Sequence, residues 1–458
     1  FMWLRMMNLV QFIGVFRAGG DTRFALILDG LIIWIVGVPL AWLAVVCTSA
    51  AFEKVLSSNP AIGFLSGAAR MSEQLAAGAL PPVVAWAAAT DDWGIANYRV
   101  QRDGALLALK EFSLKGYKVE PFVLDHSVNG VHDPQQGAKD MTTLVSDAAV
   151  MAVVGPFNSS VAKVQIPVSN EAGLLQCSPA NTNPDLTKGD AGAQLRSKDA
   201  INYVRVATTD DIQGPAVAQF GIQKLGLKKV AIIDDTETYG KGLADAFEAE
   251  WKKLGGEVVG REGAPKGTTD YLPILTKFKE GAPDALFYGG VTATGGGLVR
   301  KQMPQAGLGD LAYLGGDGIQ DGRGDTAGSF INIAGDAAPN SYSSVAAIAE
   351  YPGAADFAKK YEAEYKVAPG AYSASGYACA QIVLAAIEAA AAKGDVTREN
   401  VRAAGTDTAT SFETVLGAQK FDAVGDTDQK IISLYKVDMT AGEGTGDWVF
   451  EKQVDYGK

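Results

Sequence analysis

VVGPFNSSVAKVQIPVSNEAGLLQCSPANTNPDLT, residues 153–187, is the stretch that decides the fold. It begins inside a short valine-rich run, AVMAVVG, that ends at Gly155. Such a run predicts a strand buried on both faces of a parallel sheet. Phe157-Asn158-Ser159-Ser160 follows, and the apolar spacing then turns helical. Ser159 or Ser160 is therefore expected to cap a helix whose free N–H groups face the crevice at the strand's C-terminal end. LLQCSPA reads as the next strand, and it too ends in a polar loop, Asn181-Thr182-Asn183. Two adjacent strand ends thus offer hydroxyls, N–H groups and one free carbonyl to the same space, which suits a small carboxylate.

The same rhythm extends to both sides. Upstream, PVVAWAAAT and VEPFVLD read as strands, residues 104–112 as a helix, and Asp133-Pro134 as the start of another helix. Downstream, KKVAIIDD, EVVGRE, ALFYGG and AYLGGDG are strands alternating with helical segments, one opened by Tyr239-Gly240 and one following TATGGG. Residues 355–366 and 374–392 are helices, and IISLYKV and WVFEKQV are closing strands. Alternation of this kind implies α/β units with parallel sheets. Cys177 falls on a buried strand and Cys379 inside a helix, so both are expected to be free core thiols.

Several motifs recur in a fixed order: DPQQ after the second strand, GPFNSS, AGLLQCSPANTNPDLT, Arg205 with the Asp211-Ile212-Gln213-Gly214 turn, and FDAVGD at 421–426. Together they resemble the leucine/isoleucine/valine-binding proteins, extracytoplasmic solute receptors of ABC importers with the type I periplasmic-binding fold. The resemblance runs from about residue 82 to the C-terminus. It implies two Rossmann-like lobes joined by a hinge: residues 82–206 with 343–425, and 207–342 with 426–458. In that family a cysteine before the Asp-Pro pair bonds one after the third strand. His132 and Asn158 stand at those positions, and His132 is expected to be a solvated loop residue.

The resemblance also implies the site. Ser159 and Thr182 match the residues that hold an amino acid's carboxylate. The carbonyl of Ala180 and the hydroxyl of Thr182 match ligands of its ammonium. Asp317, in LGGDG, stands where the branched-chain receptors carry a glutamate. A buried ammonium without a partner costs several kcal/mol, so an acid is expected there. Trp93, Tyr98, Phe157 and Tyr239 would shape the side-chain pocket, and Val291 replaces a third tyrosine, which favours an apolar side chain of altered size. The implied partners are an amino acid and the permease subunits of an importer, on the periplasmic or extracellular face of the membrane. Ligand-sensing ectodomains of the same fold, and receptors for small amides or urea-like solutes, are the alternatives.

Composition bounds other functions. With 40 Lys and Arg against 52 Asp and Glu, the net charge of −12 excludes a basic nucleic-acid surface. Three cysteines and two histidines offer no metal-ligand spacing, so no metal is expected. A Ser-His-Asp set is not credible, and the glycine-rich runs lack the phosphate-binding lysine pattern and the dinucleotide fingerprint. No enzyme activity and no cofactor are expected. Arg323-Gly324-Asp325 reads as a surface turn.

Residues 1–47 differ from the rest. Residues 25–46 are an apolar run interrupted by Asp29, long enough for one membrane crossing, with Arg5, Arg17 and Arg23 before it. Two readings stand: residues 25–46 anchor the chain, with its remainder outside, or residues 1–47 are a segment joined from another protein. Residues 14–42 also resemble a fragment of multidrug and toxin extrusion transporters, whose many spans this chain does not have, so their transport function is not carried over. Cys47 follows Val46, a poor residue before a lipidated cysteine. Residues 48–81, rich in Ala, Ser and Gly, read as a linker. The chain starts with Phe, so its natural start is expected to lie elsewhere.

Overall fold

The computed structural model describes residues 84–88, 96–198 and 200–457. The expected anchor, the linker and Trp93 lie outside them. So does the side chain of Tyr98, although its backbone is in the first helix.

Two sheets organise the described chain. The first has five parallel strands: β1 (Val84–Ala88), β2 (Val119–Pro121), β3 (Val150–Val154), β4 (Leu175–Ser178) and β5 (Tyr203–Arg205), in the order β2-β1-β3-β4-β5. The second has seven: β6 (Lys229–Asp234), β7 (Glu257–Gly263), β8 (Ala285–Gly289), β9 (Ala312–Gly315), β10 (Ser341–Val345), β11 (Ile431–Asp438) and β12 (Asp447–Asp455). Their order is β12-β11-β10-β9-β8-β6-β7, parallel up to β10, after which β11 and β12 add on antiparallel. All residues of β3, β4 and β8 are buried, as the continuous apolar runs require. β10 belongs to the second sheet, so the chain's return to the first lobe comes after Val345.

The helices that bear on the site and the core are α1 (Ala96–Glu111), α2 (Pro134–Ser146), α3 (Ser159–Glu171), α4 (Asp210–Gln219), α5 (Thr238–Lys253), α6 (Ser373–Ala392) and α7 (Arg398–Gly405). α2 starts as its sequence requires. Pro134 occupies the first turn, and Asp133, in an extended conformation, accepts the N–H of Gln136 at 2.7 Å. α6 is apolar nearly all round and is long enough to cross a membrane, but it is the core helix of the first lobe. It lies against α1 at two glycines: a Cβ on Gly104 would strike the Ser373 carbonyl, and one on Gly376 the Gln101 carbonyl.

That packing overturns the expectation of free thiols. Cys177 on β4 and Cys379 on α6 are joined in a disulfide, with Cα atoms 5.6 Å apart, inside the range a disulfide spans. They are 202 residues apart in the chain, and only the seating of α6 on β4 brings them together. His132 is likewise not a solvated loop residue. It ends a two-stranded hairpin, Ser127–Val128 against Val131–His132, and is fully buried. The Asp211-Ile212-Gln213-Gly214 segment is not a turn but part of the first turns of α4.

Candidate functional site

The loop after β4 is built first by its own polar groups. Ser178 Oγ donates to the Pro156 carbonyl at 2.9 Å and accepts the Asn181 N–H at 3.0 Å. Asn181 in turn donates to the Phe157 carbonyl at 2.6 Å and accepts the Tyr203 hydroxyl at 2.9 Å. Arg205, fully buried, holds the far end of the loop. Its guanidinium donates to the carbonyl of Asn183 at 2.7 Å, to the Thr187 hydroxyl at 2.6 Å and to Asp426 at 2.7 Å. Each of the three nitrogens of that planar fork meets an acceptor, which is the arrangement in which a buried guanidinium is tolerated. The outcome is a rigid segment from Ala180 to Thr187 beside the start of α3.

At that start the capping residue is Asn158, not Ser159 or Ser160. Its side chain accepts the Ser160 N–H at 2.8 Å. Ser159 and Ser160 are thereby the first two helical residues, with hydroxyls not needed for the cap. The Ser160 hydroxyl instead reaches across to the second lobe, donating to Glu237 at 2.7 Å and accepting the Thr238 N–H at 3.1 Å. Asn183 makes a second bridge, to the Thr238 carbonyl at 2.7 Å. Glu237 is pulled down to about 2 by His132, whose imidazole lies 3.8 Å away, and by the Ser160 hydroxyl and Lys266, against the effect of burial. The two lobes are closed on one another along this edge.

The second lobe contributes Asp317 just after β9. Its carboxylate accepts the Gln213 amide at 2.7 Å and the Tyr239 hydroxyl at 2.9 Å. Tyr239 also accepts the N–H of Gly318 at 3.2 Å, so its hydroxyl serves the acid and its ring is left for contact. A Cβ on Gly318 would collide with the Gly290 carbonyl and come within 2.9 Å of Val291 and 3.0 Å of Tyr239. Tyr239, Asp317 and Val291 therefore meet at one point. Burial pushes the Asp317 carboxyl up, and the Gln213 and Tyr239 bonds only partly offset it.

Ser159, Ala180, Thr182 and Phe157 thus lie together at the strand ends of the first lobe, and Tyr239, Asp317 and Val291 on the second, all of them buried. Sequence reasoning missed Tyr372 and Asp210. Tyr372 packs edge-on against Phe157 with ring centroids 5.9 Å apart, and shares a cluster with Ala180, Val345 and Ala347. Asp210 begins α4, its N–H bonded to the Thr182 carbonyl at 2.8 Å. A signal for Asp210 was present: it stands one helical turn before Gln213, the residue that holds Asp317.

Thr208 ties the crossings between lobes. Its N–H bonds the Ala346 carbonyl at 3.0 Å, and its hydroxyl bonds the Gln429 carbonyl at 3.0 Å. Three chain segments thus run side by side between the two sheets, the arrangement of a hinge.

The sequence matches the periplasmic binding protein family over residues 96–443. A Leu/Ile/Val-binding protein of Rhizobium johnstonii is 31% identical over 350 residues, covering 73% of this chain and 86% of the relative. Among solved structures, a leucine-binding protein of Thermotoga maritima superposes with a TM-score of 0.69 at 26% identity, over 82% of this chain and 99% of the other. A branched-chain amino acid transporter substrate-binding protein of Streptococcus pneumoniae, solved with isoleucine, gives 0.66 at 25% identity, over 81% of this chain and all of its own. With two hinged α/β lobes meeting at the Ser159, Thr182 and Asp317 loops, the chain belongs to the periplasmic binding protein family, among the Leu/Ile/Val-binding proteins.

Proposed function

We propose that the protein is the extracytoplasmic receptor of an ABC importer and binds an α-amino acid with an apolar side chain between its lobes. The observation that carries this reading is the pairing of a hydroxyl-rich strand end on one lobe (Ser159, Ala180, Thr182) with a buried acid, Asp317, on the other. A zwitterion needs both, one for each end, about one carbon apart. Ser159 and Thr182 take the carboxylate. The Ala180 carbonyl, the Thr182 hydroxyl and Asp317 take the ammonium. Phe157, Val291 and the ring of Tyr239, with Trp93 and Tyr98, contact the side chain. The names of the relatives support this ligand class.

Binding is a closure without chemistry. The ligand sits first on the Ser159 and Thr182 side. The second lobe, residues 207–345 with 426–458, then swings over it about the hinge, and the Ser160–Glu237 and Asn183–Thr238 bonds hold the closed form that permease subunits recognise. Residues 25–46 would tether the receptor to the membrane from which the ligand is handed on.

A thermal-shift screen against amino acids, small amides and short carboxylates tests this. Leucine at 100 times its Kd stabilises the native state by about 2.7 kcal/mol. The shift disappears in Ser159→Ala and Thr182→Ala if these residues hold the carboxylate. A response only to amides or amine-free carboxylates would refute the role given to Asp317.

A further inference from the structure

Beside the candidate site the two lobes border a cavity of about 1150 Å³. It abuts the site in two places. Val345, Ala347 and Ala371 line it, and they pack in one cluster with Phe157, Ala180 and Tyr372. Gln320 and Asp321 line it from the second lobe, three and four residues after Asp317. A pocket of roughly 300–1,000 Å³ holds a drug-sized molecule. The cavity is therefore far larger than the side chain of leucine, isoleucine or valine needs.

Its walls carry rings from both lobes. Tyr351, Phe357, Tyr361 and Tyr365 come from the first, the last three on the helix Ala354–Tyr365. Positions 357, 361 and 365 recur every fourth residue and so share one helix face. Successive rings along it meet at centroid distances of 5.9 and 4.8 Å. Tyr435 on β11 and Trp448 on β12 come from the second lobe. The charged groups of the wall are occupied. Arg102 pairs with Asp103 at 2.7 Å and Arg323 with Asp325 at 2.8 Å, and Lys366 donates to the Ala363 carbonyl at 2.6 Å. Asp321 and Asp447 accept the backbone N–H groups of Phe330 and Trp448, and burial pushes both carboxyls up, which weakens them as partners for a basic tail. An acidic tail finds no free cation among these lining residues. A flat ring finds rings on both lobes to stack on or meet edge-on.

We propose that the ligand's side chain passes Phe157 and Tyr372 into this ring-lined chamber, and that the preferred ligand is an aromatic amino acid rather than a branched-chain one. This rests on the amino-acid reading given above and deepens it, by naming the class of side chain and the residues that select it. Closure of the lobes brings the Tyr435 and Trp448 wall up to the Phe357 and Tyr361 wall, so a ring held between them is gripped only in the closed form. Each added ring–ring contact is worth up to about tenfold in affinity. An aliphatic side chain leaves most of the chamber unfilled and gains none of it.

The test titrates the full chain with L-leucine, L-phenylalanine and L-tryptophan by calorimetry. It uses the wild type, Ala354→Trp and Ala371→Trp, since both alanines line the chamber and either substitution puts a large ring into it. Phenylalanine or tryptophan is expected to bind the wild type at least about 10-fold more tightly than leucine. That ratio is expected to fall by about 10-fold in each variant. Ala354 stands half-buried at the start of its helix, so Ala354→Trp keeps the comparison open if Ala371→Trp does not fold. A wild type that binds leucine as tightly as both aromatic amino acids, or more tightly, overturns the inference and leaves the receptor reading intact. An aromatic preference that persists undiminished in the folded variants also overturns it, because the ring is then held elsewhere. A wild type that responds to no amino acid removes the receptor reading and this inference together.

Discussion

Arg205 shows how one residue positions a site it does not enter. Its guanidinium fastens both the loop that carries Thr182 and the crossing at Asp426, with no part of it exposed. Arg205→Met removes the charge and keeps the bulk, leaving buried Asp426 with only the more distant Lys188, at 3.7 Å, as counter-ion. Loss of one partner of a buried pair destabilises by about 3–5 kcal/mol, and chemical unfolding should read that loss directly. Arg205→Lys is expected to recover only part of it, since one ammonium does not reproduce the planar fork. The importance of Arg205 was legible through its motif. The cap at Asn158 was not: Asn158, Ser159 and Ser160 are all good capping residues in succession, and the backbone geometry alone selects among them.

At the scale of elements, the hairpin at 127–132 was overlooked although its signal is local. Asn129-Gly130 joins its strands, with φ of 54° and 78°, the positive values a two-residue hairpin turn requires. The hairpin buries His132 and stands next to His126, whose two ring nitrogens find no partner. Burial and the neighbouring His132 pull His126 down to about 4, against the opposing charges of Asp125 and Asp133. The unfolded chain takes up a proton near its ordinary value of about 6.5, so it binds more protons between the two values. Stability from this residue is complete above the upper value and falls as the pH drops toward the lower, by about 3 kcal/mol. The difference in unfolding free energy between the wild type and His126→Phe should therefore fall by about 3 kcal/mol as the pH drops from the upper value to the lower. Asp235 and Asp321, raised by burial to about 6 and about 7, act in the opposite sense and are common to both proteins.

At the scale of the molecule, the disulfide joins two elements of the first lobe and closes a segment of 202 residues that includes β6 to β10 of the second sheet. Crosslinks of long segments stabilise by about 2–4 kcal/mol, mainly by restricting the unfolded chain. The double variant Cys177→Ala, Cys379→Ala is therefore expected to lose that amount in equilibrium unfolding while still binding leucine, because neither sulfur faces the cleft loops. Full stability in the double variant would show that the packing of α6 on β4 suffices alone. A disulfide also agrees with a family whose members work outside the cytoplasm.

The α/β class and the strand ends that carry Ser159 and Thr182 were determined by the sequence itself. Period, valine-rich runs and turn residues act between neighbours in the chain, and they place each loop at the C-terminal end of its own strand. The acid of the second lobe was legible only through likeness to a family, because nothing local distinguishes Asp317 from a turn residue before glycine. The tertiary structure decided the rest: the partner of Cys177, the burial of His132, the bridge from Ser160 to Glu237, and the convergence of Asp210 with Thr182 and Asp317. Each of these joins residues far apart in the chain. Their distances depend on how α6 seats on β4 and how the lobes close, which no local pattern encodes.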